Sequence, residues 1–188
     1  SMNVLIWFKR DLRILDHPAL TRAAGLGAVL PLYIVEPEYW LLPDTSARQW
    51  EFTAEALTDL RGQLADVGAP LVVRVGEAVQ VLERMSRQHA ITRIISHEET
   101  GNLWTYGRDR RVAAWARGAG IVWDEAPQSG VVRRLVSRNG WQGQRDAFMA
   151  APALPAPVAL RVVPGLEPGM IPTARALRLP EDRCPHRQ

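Results

Sequence analysis

The sequence predicts an α/β protein: a five-stranded, doubly wound parallel sheet of Rossmann-like or flavodoxin-like type, order 3-2-1-4-5, with helices on both faces. Two observations carry this expectation. Five short apolar runs alternate with four stretches of helical periodicity between Asn3 and Trp123, the βαβ grammar that builds parallel sheets. The runs are rich in β-branched residues and apolar throughout, as strands covered on both faces are.

The first strand is Val4–Phe8. It breaks into Lys9, Arg10, Asp11 and Arg13, and a helix then starts near Asp16 or His17, with Pro18 suited to its first turn. Gly25 and Gly27 end this unit. Ala28–Val35 is the second strand, closed by Glu36-Pro37-Glu38; Pro31 lacks a ladder donor, which predicts an interruption or a sheet edge there. A loop through Tyr39, Trp40 and Pro43 leads to the capping cluster Asp44-Thr45-Ser46. From Ala47 to Val67 the residues Trp50, Ala54, Leu57, Leu60, Leu64 and Val67 form one apolar stripe at helical spacing. Leu71–Val75 is the third strand. A helix to about His89 follows, with Val79, Leu82 and Met85 inward. Thr92–Ser96 is the fourth strand, delivering the chain into His97-Glu98-Glu99-Thr100-Gly101-Asn102. A helix over about 105–117 buries Val112 and Trp115, and Ile121–Trp123 is the fifth strand.

Beyond Asp124 the grammar changes. Val131–Arg138 reads as strand or short helix, Gly140–Gly143 as a turn, and Trp141, Phe148 and Met149 as anchors. From Ala151 to Gln188 eight prolines punctuate the chain, which suits a surface-wrapping or linker-like tail without a core of its own. The expected division is therefore a domain over 3–150 and a Pro-rich tail over 151–188.

The 188 residues, 47% hydrophobic and 23% charged, are ordinary for a soluble globular protein. No apolar run reaches the length of a membrane span and no signal peptide opens the chain. Lys9 is the only lysine, so the positive charge is almost wholly arginine, suited to bidentate contacts with carboxylate or phosphate. The single cysteine, Cys184, has no partner for an internal disulfide, and a reducing, cytoplasmic setting is expected.

Several chemistries have no signal. There is no G-x-G-x-x-G after the first strand, no G-x-x-x-x-G-K-[ST], no G-x-S-x-G and no Cys/His cluster at metal spacing. His17, His89, His97 and His186 are scattered and read as caps or surface residues. What remains are polar clusters at strand carboxyl ends: Lys9, Arg10 and Arg13; Glu36 and Glu38; Glu98, Glu99 and Asn102. In an open α/β sheet these loops share one crevice, which Arg48 can reach from the long helix. On spacing alone they read equally as a solvated, ion-paired rim or as a ligand site.

The stretch Trp7-Phe-Lys-Arg-Asp-Leu-Arg-Ile-Leu-Asp-His-Pro-Ala-Leu20 resembles the opening signature of the DNA photolyase/cryptochrome family. His97-Glu-Glu-Thr-Gly-Asn-Leu-Trp-Thr-Tyr-Gly-Arg-Asp-Arg-Arg-Val112 resembles that family's segment after the fourth strand, and Leu32–Pro37 lies in matching order between them. The resemblance covers about residues 3–150. It implies the N-terminal light-harvesting domain, which holds an antenna chromophore and passes excitation to FAD. FAD and the pocket for damaged DNA belong, in that family, to a helical C-terminal domain, which would be this chain's partner. The parent activity implied is blue-light, FAD-dependent repair of pyrimidine dimers by a deoxyribodipyrimidine photo-lyase, and this chain without that domain is expected to be non-catalytic. By position, Lys9, Arg10, Glu36, Arg48 and Glu98 are the residues to line the antenna site. A deazaflavin or flavin is favoured over methenyl-folate, because Tyr106–Arg110 lacks the glutamate of folate-using members. The alternatives are a stand-alone nucleotide-binding module and a cryptochrome-type light-signalling or interaction domain.

Overall fold

The computed structural model describes residues 2–128, 133–137, 146–150 and 153–180, with backbone alone described for 133–137 and 146–150. Strands β1 (Met2–Phe8), β2 (Gly27–Val35), β3 (Val72–Val75), β4 (Arg93–His97) and β5 (Val122–Ala126) form one sheet in the order β3-β2-β1-β4-β5. Every pairing in it is parallel, as predicted. Helices α1 (Pro18–Leu26), α2 (Pro37–Trp40), α3 (Ala47–Asp66), α4 (Ala78–Gln88) and α5 (Leu103–Ala119) connect the strands. Strands β6 (Arg133–Ser137) and β7 (Asp146–Ala150) pair with each other antiparallel. The 131–138 stretch is thus a strand over Arg133–Ser137; the expected turn at Gly140–Gly143, the Trp141 anchor and Cys184 lie outside the described residues.

β1 sits at the centre, and Val4 to Phe8 are buried completely or almost so. Alternation splits them between two cores: Val4, Ile6 and Phe8 pack with α1 and α3, Leu5 and Trp7 with α4 and α5. The first two crossovers cover one face and the next two cover the other. The reversal falls between β1 and β4, so the loops leaving these neighbours diverge and open a crevice.

α3 follows the predicted stripe. A reciprocal Ser46–Gln49 capping box starts it, and Trp50, Leu57, Leu60 and Leu64 are buried. Three local expectations differ. α1 runs on through Gly25 to Leu26, because Gly25 does not take the left-handed φ by which glycine ends a helix. Pro37–Trp40 forms a helical turn where a loop was expected, with Pro37 supplying the pre-set φ of a first helical position. In α4 Val81 takes the core position and Val79 only flanks it. Among the described residues no helix is long and apolar enough to cross a membrane.

β2 is also unbroken at Pro31. Val29 donates to the Arg161 carbonyl (2.8 Å) and accepts from the Val163 amide (3.0 Å) on the edge away from β1. β3 pairs with that same edge only from Leu32 onward. Two-residue alternation places the missing Pro31 donor in the gap between these partners, where no ladder bond is lost. The tail holds on through further bonds: the Leu160 amide to the Val67 carbonyl (2.7 Å), the Val73 amide to the Pro168 carbonyl (2.7 Å) and Trp50 Nε1 to the Pro172 carbonyl (2.9 Å). Leu160, Val163, Leu177 and Leu179 are buried in doing so.

Gly169 has φ +78°, and a Cβ there would lie 2.5 Å from the Val73 carbonyl oxygen. Gly169→Ala is expected to cost about 1–3 kcal/mol through left-handed strain and this clash. Hydrogen exchange is the check: the Val73 amide should lose protection while the amides of β1 keep theirs.

Candidate functional site

The strand carboxyl ends open into a crevice of about 950 Å³, the upper end of the range that accommodates drug-sized ligands. One wall is aromatic and apolar: Tyr39 and Trp40 from α2, then Leu42, Phe52 and Ala56 from the α3 side. Tyr39 meets Trp40 edge-on at 5.2 Å and Trp104 at 5.4 Å, and Trp40 rests edge-on against buried Trp50 at 5.1 Å. Such contacts fix the ring planes. The opposite wall is charged and comes from the loops after β1, β2 and β4 together with the first turns of α5.

Arg108 organises that charged wall. Its guanidinium donates through Nη1 to Glu36 Oε1, through Nη2 to Glu99 Oε1 (2.5 Å) and through Nε to Asp109 Oδ1 (2.8 Å). It also lies 4.9 Å from the Trp7 ring centroid. Arg108 is buried, so the guanidinium ties the end of β2 to the loop after β4 across the width of β1. Lys9 Nζ sits 4.3 Å above Trp7 with its side chain only 6% exposed. Among the described residues it makes no hydrogen bond, the carboxylate oxygens of Asp109 and Glu99 standing at 3.5 and 3.6 Å. Arg10, 60% exposed, approaches Glu99 at 3.6 Å and donates to the Tyr39 hydroxyl at 2.9 Å.

Two enclosed cations thus face three carboxylates. Burial raises the Glu36 carboxyl to about 7; Arg108 and Lys9 oppose the rise, while Glu99 and Asp109 add to it. Glu36 therefore keeps its proton in a range where an exposed glutamate has lost its own.

Behind the charged wall lies a second buried cluster. Asp11 Oδ2 is met at 2.6 Å by His17 Nε2 and at 2.8 Å by His97 Nδ1, while Asp11 Oδ1 accepts the Lys9 amide at 2.8 Å. The far nitrogens of both rings are also engaged: His17 Nδ1 accepts the Leu20 amide (2.9 Å) and His97 Nε2 the Ala19 amide (3.2 Å). A nitrogen that accepts an amide carries no proton, so the proton of each ring sits on the nitrogen nearer Asp11; His17 Nε2 hydrogen-bonds to Asp11, while His97 Nδ1, though close, lies off hydrogen-bond geometry. A histidine metal ligand has the opposite arrangement, donating from its second nitrogen. The donor types suit a metal, but their tautomers make this a hydrogen-bonded knot. Burial alone would raise the Asp11 carboxyl, but the hydrogen bond from His17 and the close approach of His97 hold it well below the usual carboxylate range. His17 is pushed down, mainly by burial, against the pull of Asp11.

The family model for DNA photolyase matches residues 4–140. The chain belongs to the DNA photolyase family. Over 95% of its length it is 30% identical to cryptochrome DASH from Gloeobacter violaceus, of which it spans 39%. Its fold matches an archaeal photolyase from Sulfolobus tokodaii (TM-score 0.60, 26% identity, 67% of this chain and 29% of that one). That protein was solved with two FAD molecules, described as implying a novel light-harvesting cofactor. A bacterial class III photolyase from Agrobacterium tumefaciens shares the fold over 95% of this chain and 38% of its own (TM-score 0.66, 19% identity). The sheet described above corresponds to the N-terminal α/β domain of photolyases.

Within this photolyase-family domain, four of the five residues named from sequence, Lys9, Arg10, Glu36 and Arg48, line one crevice. Glu98 does not. Its side chain is exposed, and its amide extends the ladder by bonding the Ala126 carbonyl, so Glu99 turns inward instead. Sequence reading missed Arg108 as the centre of the wall. It also missed the convergence of His17 and His97 on Asp11. The helical phase of α5 offered some signal for Arg108, four residues beyond Trp104. Nothing local linked the two histidines.

Arg108→Ala is expected to destabilise the fold by about 3–5 kcal/mol, because it strands buried carboxylates. Arg10→Ala, at an exposed pair, should cost less than about 1 kcal/mol. Urea denaturation of both variants checks the contrast. Glu36 carries a further signature. Its folded pKa of about 7 lies above the ordinary 4.5, so its contribution is fully present below pH 4.5 and is lost as pH rises through 7. Subtracting the stability profile of Glu36→Gln from the wild-type profile should therefore leave a term that falls between these limits by about 3 kcal/mol at most.

Proposed function

We propose that this domain binds an antenna chromophore, a flavin or deazaflavin, in the crevice at the carboxyl ends of β1, β2 and β4. Bound there, the chromophore would absorb blue light and hand the excitation on. The observation that carries this reading is the pairing of a rigid aromatic wall with a charged wall on which Lys9 Nζ is buried without a hydrogen bond. A planar, partly polar heterocycle satisfies both walls at once: its ring system against Tyr39 and Trp40, and an acceptor atom for Lys9. The Sulfolobus tokodaii photolyase, with its two FAD molecules, supplies the precedent for flavin. Methenyl-folate is the less favoured ligand, since Tyr106–Arg110 offers no glutamate.

The chain spans well under half the length of the relatives compared. The parent activity belongs to the same proposal: FAD-dependent, light-driven repair of pyrimidine dimers, or light signalling of cryptochrome type. FAD and damaged DNA would then be bound by a helical C-terminal partner domain, with the antenna domain acting in a reducing, cytoplasmic setting. Within this domain the residues hold, orient and shield a ligand; none is assigned a catalytic step.

Titrating the purified protein with FMN, riboflavin, a deazaflavin and methenyl-folate, read by absorbance and by calorimetry, tests the proposal. One flavin-type ligand should bind near stoichiometrically. Lys9→Met should weaken that binding about tenfold or more, as expected for loss of a charge-assisted hydrogen bond. Tight ATP binding with no affinity for any chromophore would instead favour a nucleotide-binding module.

A further inference from the structure

The Asp11–His17–His97 knot lines no part of the crevice, yet it reaches both strands at the point where the sheet reverses. Asp11 comes from the loop after β1, His17 caps α1, and His97 ends β4. All three are buried. Their role as a plain structural filler is hard to square with their cost: an ionised carboxylate in this setting needs every one of its bonds. Four hydrogen bonds hold it and its two imidazole partners: the Lys9 amide and His17 Nε2 on Asp11, the Leu20 amide on His17 and the Ala19 amide on His97, the last two from the first turn of α1.

The knot has one direct output into the crevice. Asp11 Oδ1 takes the amide of Lys9, the residue whose ammonium lies buried over Trp7. On the other strand, the two residues after His97 lead to Glu99, whose carboxylate meets Lys9, Arg10 and Arg108. One buried carboxylate therefore sets the separation of the two loops that carry the charged wall.

We propose that Asp11, His17 and His97 are positioning residues, which hold the only lysine of the chain at its buried station in the crevice. None of them touches a ligand. They act through the backbone of Lys9 and through the end of β4. The charged and titratable groups facing the knot are Arg13 from the same loop and each other's side chains. α1 contributes backbone amides and β1 contributes the Phe8 ring, 4.8 Å from His17.

Because Lys9 is unique, its exposure can be read chemically. The probe is sulfo-NHS-acetate, with peptide mass spectrometry separating Lys9 from the terminal amine. In the intact protein Lys9 should react slowly. Asp11→Asn keeps the shape and an oxygen for the Lys9 amide, but turns donors toward the imidazole N–H groups. Lys9 acylation should then rise about tenfold or more, on the scale of one charge-assisted hydrogen bond lost. His17→Asn keeps a capping oxygen for α1 but is too short to reach Asp11; it should shift the rate the same way, and it serves if Asp11→Asn does not fold. Val112→Ala, deep in the core on the α4–α5 face, is the control: it destabilises without freeing Lys9. If the Asp11 and His17 variants leave Lys9 as protected as the Val112 control does, the inference is overturned.

A second arm, resting on the chromophore reading, measures FMN affinity in the same variants. A drop of about tenfold for Asp11→Asn but not for Val112→Ala supports positioning. Unchanged affinity in a variant whose Lys9 has become reactive overturns the link to the ligand. Wild-type protein that binds none of FMN, riboflavin and a deazaflavin sinks the chromophore reading, while the acylation arm still decides the knot.

Discussion

The constraint on which the molecule depends is the reversal of the sheet at β1. A parallel sheet grown outward in both directions from one central strand must send its crossovers over opposite faces. Here the loops that leave β1 and β4 part company. The crevice and its charged wall are built there. β1 itself pays no polar cost, since its last five residues are apolar and buried on both faces. The charges begin where the strand stops.

Charge buried at such a gap is costly unless it is paired and hydrogen-bonded. The domain meets this demand with two nested devices. Arg108, with three donors in one plane, joins carboxylates from β2, the β4 loop and its own helix, a geometry that lysine could not reproduce. Behind it, Asp11 lies against two histidines, whose remaining nitrogens take up free amides at the start of α1. The second device solves two problems together, because a helix amino terminus needs acceptors as much as a buried carboxylate needs donors. The two are linked through Lys9, whose amide belongs to the knot and whose ammonium belongs to the wall.

The aromatic wall has a different origin. It is carried by α2 and α3, and its order rests on Trp40 packing against Trp50, whose Nε1 in turn donates to the Pro172 carbonyl of the tail. The tail therefore does more than cover an edge of the sheet. By bonding β2, β3 and α3 it fixes the helix that presents the far side of the crevice.

By itself the sequence determined the five strands, their parallel pairing and the placement of polar loops at one edge, because these follow from local periodicity and the handedness of crossovers. It also determined the family, through the run from Trp7 to Leu20. Tertiary structure alone decided which side chains meet. Glu36 and Arg108 are 72 residues apart, and Asp11 and His97 are joined only because β1 and β4 are neighbours. The choice of Glu99 over Glu98 turns on how the chain leaves the ladder, where two-residue alternation no longer governs. Pro31 is tolerated because the tail and β3 leave its position unpaired. Periodicity reports which face a residue takes within its own element. Partners across elements are set by sheet order, rotamers and the accounting of buried charge, and those exist only in the folded molecule.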